Sequence, residues 1–137
     1  MSAVLGGAVT SAPSLHHVAL GTPDVEALAS FYAQLLQTAE RRRQLDAAGA
    51  LRSIWLDLAG ILLMIERAES SASRPRVEGV GLGAFLLAFR VRPSERGAFE
   101  RRAEALGAAI ESRSAYTSYF RDPDGNRIAV SEYEVSP

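Results

Sequence analysis

The chain of 137 residues is long enough for one ordinary domain with a core of its own. Its 15 Lys and Arg against 16 Asp and Glu leave a formal net charge of −1, which gives no basic field for a nucleic-acid backbone or an anionic membrane. The absence of cysteine excludes disulfides, thiolate metal sites, iron–sulfur clusters and a thiol nucleophile, and fits a cytoplasmic location.

Residues 1–13 are small and mildly apolar, without Lys or Arg, and read as a flexible tail rather than a signal peptide. No later apolar run approaches the roughly 20 residues that span a bilayer. Leu15 to Leu20 reads as a strand ending at Gly21. Thr22 is placed to cap a helix, Pro23 suits its first position, and Asp24 and Glu26 favour the positive end of its dipole. Val25, Leu28, Phe31, Tyr32, Leu35 and Leu36 then recur at spacings of three and four, the stripe of an amphipathic helix. Glu40 to Leu45, with its Arg41 to Arg43 run, reads as a solvated edge strand. A turn at Ala47 to Ala50, a strand from Arg52 to Leu58, a tight turn at Ala59 and Gly60, and a strand from Ile61 to Glu66 complete a βαβββ order. Residues 14–67 form this first module.

Residues 68–81 are rich in Ser, Arg, Pro and Gly and read as a linker. Residues 82–137 repeat the order. A strand runs from Ala84 to Val91. Pro93 to Glu95 open a helix with Phe99, Ala103 and Leu106 on its apolar side and Gly107 as its stop. Strands follow at Ala108 to Ser112, Ala115 to Arg121 and Asn126 to Tyr133. Asp122 to Gly125 has the residues of a type I turn, which accounts for Asp122 and Asp124 without a metal or an acid–base role. The two halves align at a period near 69 residues, too long for a solenoid. They read as one compact α+β domain of two tandem βαβββ modules, forming a curved mixed sheet with a central cleft, the sheets packed edge to edge. No Gly-rich phosphate loop or nucleophile elbow is present.

Three segments carry a family resemblance: Leu15 to Glu26 with Phe31 and Tyr32, the strand around Leu86, and Tyr119 to Ile128 with its Arg-Asp-Pro-Asp-Gly-Asn run. In this order and topology they resemble the vicinal oxygen chelate superfamily of glyoxalase I, bleomycin-resistance proteins and extradiol dioxygenases. The resemblance implies a cleft in which His and Glu side chains of the first and last strands hold a divalent metal, which acts as a Lewis acid on two neighbouring substrate oxygens. It also implies homodimers, since single-chain members of this fold often pair through their sheets.

The ligand positions that the resemblance assigns fall on His17, Leu63, Leu86 and Ala129. Only His17 is a metal-binding residue. His16 is adjacent and points to the opposite face of a regular strand. Glu66 lies three residues beyond Leu63 and also faces away, unless a bulge returns it. Glu132 and Glu134 share the parity of Ile128 and Val130, the helix-facing side. A catalytic metal normally takes three protein ligands, so the usual metal site is expected to be lost. The alternative is a divalent metal on an atypical set that includes His17 and Glu66.

Alternation places Ala19, Leu63, Leu86, Ala88, Arg90, Ala129 and Ser131 on the face of His17. That mostly apolar face, with a cation and a hydroxyl, suits a small organic ligand. His17 is either a polar anchor or general base there, or a hydrogen-bonded remnant. Arg90 either meets an anionic group or reaches solvent. Trp55 either stacks on a ligand or covers the sheet, and Phe120 belongs to the core. Three functions remain open: metal-independent binding of a small organic molecule, a metal-dependent lyase, isomerase or dioxygenase, and a non-catalytic domain that pairs with itself or another chain.

Overall fold

The computed structural model describes residues 12–70 and 76–134. Most of the expected tail and the centre of the expected linker lie outside the described residues. The first module runs β1 (His17–Thr22), α1 (Val25–Leu36), β2 (Glu40–Leu45), β3 (Leu51–Leu58) and β4 (Ile61–Arg67). The second runs β5 (Leu87–Arg90), a 3-10 turn (Pro93–Glu95), α2 (Arg96–Ala105), β6 (Ser112–Arg113), β7 (Thr117–Arg121) and β8 (Arg127–Ser131).

Each module folds into a mixed four-stranded sheet. The orders are β1-β4-β3-β2 and β5-β8-β7-β6, with the first pair of each parallel and the rest antiparallel. The α+β architecture of two βαβββ modules read from the sequence is therefore the architecture of the chain.

Local chemistry explains the boundaries. Asp24, not Thr22, caps α1: its carboxylate accepts from the Ala27 amide at 3.1 Å. Thr22 instead is buried, and its hydroxyl accepts from the Asp24 amide at 3.2 Å, which fixes the approach to the helix. The helix ends at Gln37, a left-handed residue with φ of 52°. The apolar stripe then packs as its spacing predicts: Val25, Leu28, Phe31, Tyr32 and Leu35 are all buried. In the second module the expected strands at residues 84 and 108 start late, at Leu87 and Ser112. Residue 108 is still tied to the helix, its amide donating to the Ala103 carbonyl at 2.8 Å.

The modules meet through their helix-covered sides. The sequence reading packs the two sheets edge to edge, but no strand pairing joins them among the described residues. One core instead takes in Leu28, Leu35, Ile54 and Ile65 of the first module with Phe99, Phe120, Ile128 and Val130 of the second. The Tyr32 ring lies 6.3 Å from that of Phe89, and Arg102 donates to the Leu35 carbonyl at 3.1 Å. The physical reason is the width of the α1 stripe, which covers its own sheet and still presents Tyr32 to the second module. Each sheet consequently keeps one bare side, turned away from the shared core.

Candidate functional site

The register of the first sheet decides which residues face outward. His17 pairs with Leu62, Ala19 with Met64 and Gly21 with Glu66. Across β3 the same rows continue to Asp57, Trp55 and Ser53. Paired residues in a sheet point to the same side, so these make up the bare face. This corrects the sequence reading at two positions. Leu63 sits opposite Val18 and is completely buried in the core, so it is not a cleft residue. Glu66 shares the face of His17 without needing a bulge. Placing the family's ligand position on Leu63 displaces β4 by one residue, which in a strand exchanges every side chain between faces.

Sharing a face does not bring His17 and Glu66 together. Glu66 lies four residues along β4 from the partner of His17, so roughly 13 Å of strand separates them at about 3.3 Å per residue. His17 is exposed and shares a hydrogen bond with His16, Nδ1 to Nδ1, at 2.9 Å. One ring donates and the other accepts. His16 precedes the first paired residue, so strand alternation does not bind it, and it turns to the cleft rather than away from it.

A bulge in β2 completes this end of the face. Glu40 pairs with Leu56 and Arg42 with Trp55, so Arg41 is extra on its strand. A bulge re-aims side chains locally, and Arg41 and Arg42 both reach the bare side. With His16, Trp55, Asp57 and Leu62 they line an open depression of about 550 Å³. Arg41 is committed to Asp57 at 2.8 Å. Arg42 makes a cation–π contact with Trp55, its guanidinium carbon over the ring at 5.5 Å from the centroid.

Trp55 is held from beneath. Its Nε1 donates to Ser53 Oγ at 2.7 Å, and the Ser53 hydroxyl donates to Glu66 Oε2 at 2.5 Å. Ser53 is fully buried. A buried hydroxyl with both its donor and acceptor roles satisfied is worth keeping, because an unpaired one is costly. The chain Trp55–Ser53–Glu66 therefore sets the indole plane and one carboxylate oxygen together.

The second sheet has its own bare face, with Ala88, Arg90, Ala129 and Ser131 on it as expected from alternation. These lie on a different sheet from His17, Ala19 and Trp55, so the predicted site divides into two. Ala129 is only 1% exposed, and Ser131 is bonded to the Thr117 hydroxyl at 2.9 Å. Leu86 just precedes β5 and is half-buried. The Arg90 side chain is exposed and makes no hydrogen bond or ion pair among the described residues. The far end of this face is covered by the chain's own segment 76–86. Arg127 lies between the rings of Phe85 and Tyr119, 5.2 and 4.9 Å from their centroids, and donates to the Glu78 carbonyl at 3.1 Å. Arg121 and Arg76 both reach Glu111, at 3.0 and 2.7 Å.

The donor set does not fit a metal held by three protein ligands of one chain. No three His, Cys, Asp or Glu side chains converge among the described residues. His17 is flanked on its own face by Leu62, and Leu86 and Ala129 offer no donor. Glu132 lies on the helix side, as its parity predicts, and pairs with Arg96 at 3.2 Å.

Sequence reasoning found Trp55 and His17 but missed His16, Arg41, Arg42 and Ser53. By sequence the run from Arg41 to Arg43 reads as a solvated edge. Arg43 fits that reading, bonded to Glu26 and Glu40 at 2.6 and 2.9 Å. A run of three cations on a strand beside the one tryptophan was the available signal, and the bulge that redirects two of them leaves no mark in composition.

Two βαβββ modules, each with a helix on one side of its sheet and an open polar-rimmed face on the other, define the vicinal oxygen chelate architecture. Residues 17–131 match the family model described as a glyoxalase-like domain, and the chain belongs to that family. Among solved structures it is similar to the fosfomycin resistance protein FosX from Listeria monocytogenes, with a TM-score of 0.74 at 19% identity over 91% of this chain and 94% of that one. FosX from Mesorhizobium loti gives 0.73 at 16% identity, covering 91% and 95%. A glyoxalase/dioxygenase from Nostoc punctiforme gives 0.68 at 24% identity, covering 90% and 97%. No curated protein sequence matches the chain. At these identities the structures share the fold, and their activities do not transfer with it.

Proposed function

We propose that this glyoxalase-like protein binds a small, largely apolar organic molecule on the bare face of its first sheet, without the family's usual metal. The observation that carries the reading is the open depression beside Trp55, rimmed by polar groups, in a chain whose His16 and His17 have no third metal donor converging on them among the described residues. A concave site with an aromatic wall and a few placed polar groups suits such a ligand. A drug-sequestering role, as in bleomycin-resistance proteins, is one form of it. The reading extends to a cytoplasmic homodimer, in which a second copy covers part of the bare sheet faces, and to no nucleic-acid or membrane partner.

The test is elemental analysis of purified protein, with melting curves against Ni, Zn, Mn and Fe. We expect no stoichiometric metal and no metal-dependent shift. One equivalent of metal, lost on His17→Ala, would overturn the reading in favour of a metal-dependent lyase, isomerase or dioxygenase. A small-molecule library screened by thermal shift checks binding: a ligand at a 100-fold excess over Kd adds about 2.7 kcal/mol. Sedimentation over a range of concentrations checks the dimer.

A further inference from the structure

We infer that the depression beside Trp55 selects organic anions, with Arg42 as the specificity-determining residue. The inference rests on the small-molecule reading above and adds the sign of the ligand's charge.

The charged groups facing the depression do not cancel. Arg41 and Asp57 neutralise one another across 2.8 Å. Arg42 remains: among the described residues its side chain has no carboxylate partner and no hydrogen bond, only the Trp55 ring at 5.5 Å. The two neighbouring imidazoles are bonded to each other. They add no negative charge. Glu66 is the other carboxylate on this face. It lies on the row of Ser53, one row beyond Trp55, bonded to the Ser53 hydroxyl, and is not among the residues that line the depression. Among the residues that line the depression, one cation is left without a carboxylate partner, and it lies over the Trp55 ring.

That arrangement has a chemical preference. A guanidinium lying on an indole keeps its N–H edge free, and that edge matches a carboxylate in two parallel hydrogen bonds. The contact with Trp55 also restricts the long Arg42 side chain before any ligand arrives, which lowers the ordering cost of pairing. Leu62 and the Trp55 ring supply an apolar floor for the ligand's body. The occupant that satisfies both is a small flat molecule bearing one anionic group. A cationic ligand of the same size meets Arg42 with like charge.

The chain has a single tryptophan, so its fluorescence reports occupancy of this depression directly. The experiment titrates the protein with benzoate, benzyl alcohol and benzylamine, three probes of similar shape and different charge. Benzoate is expected to bind about two- to fivefold more tightly than either of the others, the range that one exposed ion pair supplies. In Arg42→Gln the benzoate affinity should fall to that of benzyl alcohol, with benzyl alcohol itself unchanged. Arg101→Gln, an exposed arginine on α2, should leave the preference intact. Melting curves confirm that both variants are folded. Equal binding of all three probes, or a preference that survives Arg42→Gln, overturns the charge selectivity and leaves the small-molecule site standing. Failure of every probe to bind overturns the site and the selectivity together.

Discussion

The Tyr32 hydroxyl donates to Asp122 Oδ2 at 2.6 Å, a bond between residues 90 apart in sequence that ties α1 of the first module to the turn after β7 in the second. Asp122 is 4% exposed and Tyr32 fully buried. The other carboxylate oxygen accepts from the Asp124 and Asn126 amides, each at 2.9 Å, and the Asn126 side chain donates to Oδ2 at 2.7 Å. Burial first, and the Asp122 charge second, push the Tyr32 hydroxyl far above its usual titration range, so it stays a donor at any physiological pH. One carboxylate thus organises a turn and clamps two modules. Tyr32→Phe removes one donor from a buried charge and should cost about 1.5–3 kcal/mol in urea unfolding. Asp122→Ala should cost more, because it strands the tyrosine hydroxyl and loosens the turn as well.

The corrected face of β4 has its own test. Leu63 is completely buried, so Leu63→Ala should cost about 2–5 kcal/mol through lost burial and the cavity left behind. Leu62 faces the depression and is only partly covered. Leu62→Ala should cost markedly less in denaturant unfolding while weakening any ligand that quenches Trp55. The opposite ranking would restore the first register.

Ser53→Ala isolates the support beneath the indole. It leaves the Trp55 N–H and one Glu66 oxygen without their shared partner, at about 1–3 kcal/mol. With Nε1 released to water, the emission of Trp55 should move to longer wavelength and its anisotropy should fall. An unchanged spectrum would mean that packing alone sets the indole.

Glu100 makes the acid limb of stability testable. Arg113 holds its carboxylate in a two-pronged pair at 2.9 and 3.0 Å, and the Ser118 hydroxyl donates at 2.5 Å. Chiefly through Arg113, with Ser118 and Arg96 adding to it, the carboxyl is drawn down from 4.5 to about 2. Because the folded value is the lower one, its contribution is complete above the unfolded carboxylate range and is lost as pH falls through that interval. Glu100→Gln should therefore be less stable than the parent at neutral pH. The gap should narrow between about pH 4.5 and about pH 2, as read from urea unfolding across that range.

Much of this was legible in the sequence for a local reason. The α1 stripe, the Gly60 and Gly125 turns and the Pro93 helix opening are each set by residues within a few positions of one another, and they gave the element order and the module repeat. His17 and Trp55 were legible as candidate site residues because their types are rare in the chain. The β4 face was not legible. Leu62, Leu63, Met64 and Ile65 are all apolar, so no alternation marks which side is inside, and only pairing with β1 settles it.

The sequence by itself determined the βαβββ repeat and the absence of metal-binding side chains at Leu86 and Ala129, because side-chain chemistry and short-range periodicity need no third dimension. Tertiary structure alone decided that the two sheets share one core through their helices, that Glu66 turns outward, and that Arg42 lies on Trp55. Each of these depends on a register, a bulge or a buried partner from a distant part of the chain. Those relationships arise only when the strands pair and α1 closes over them.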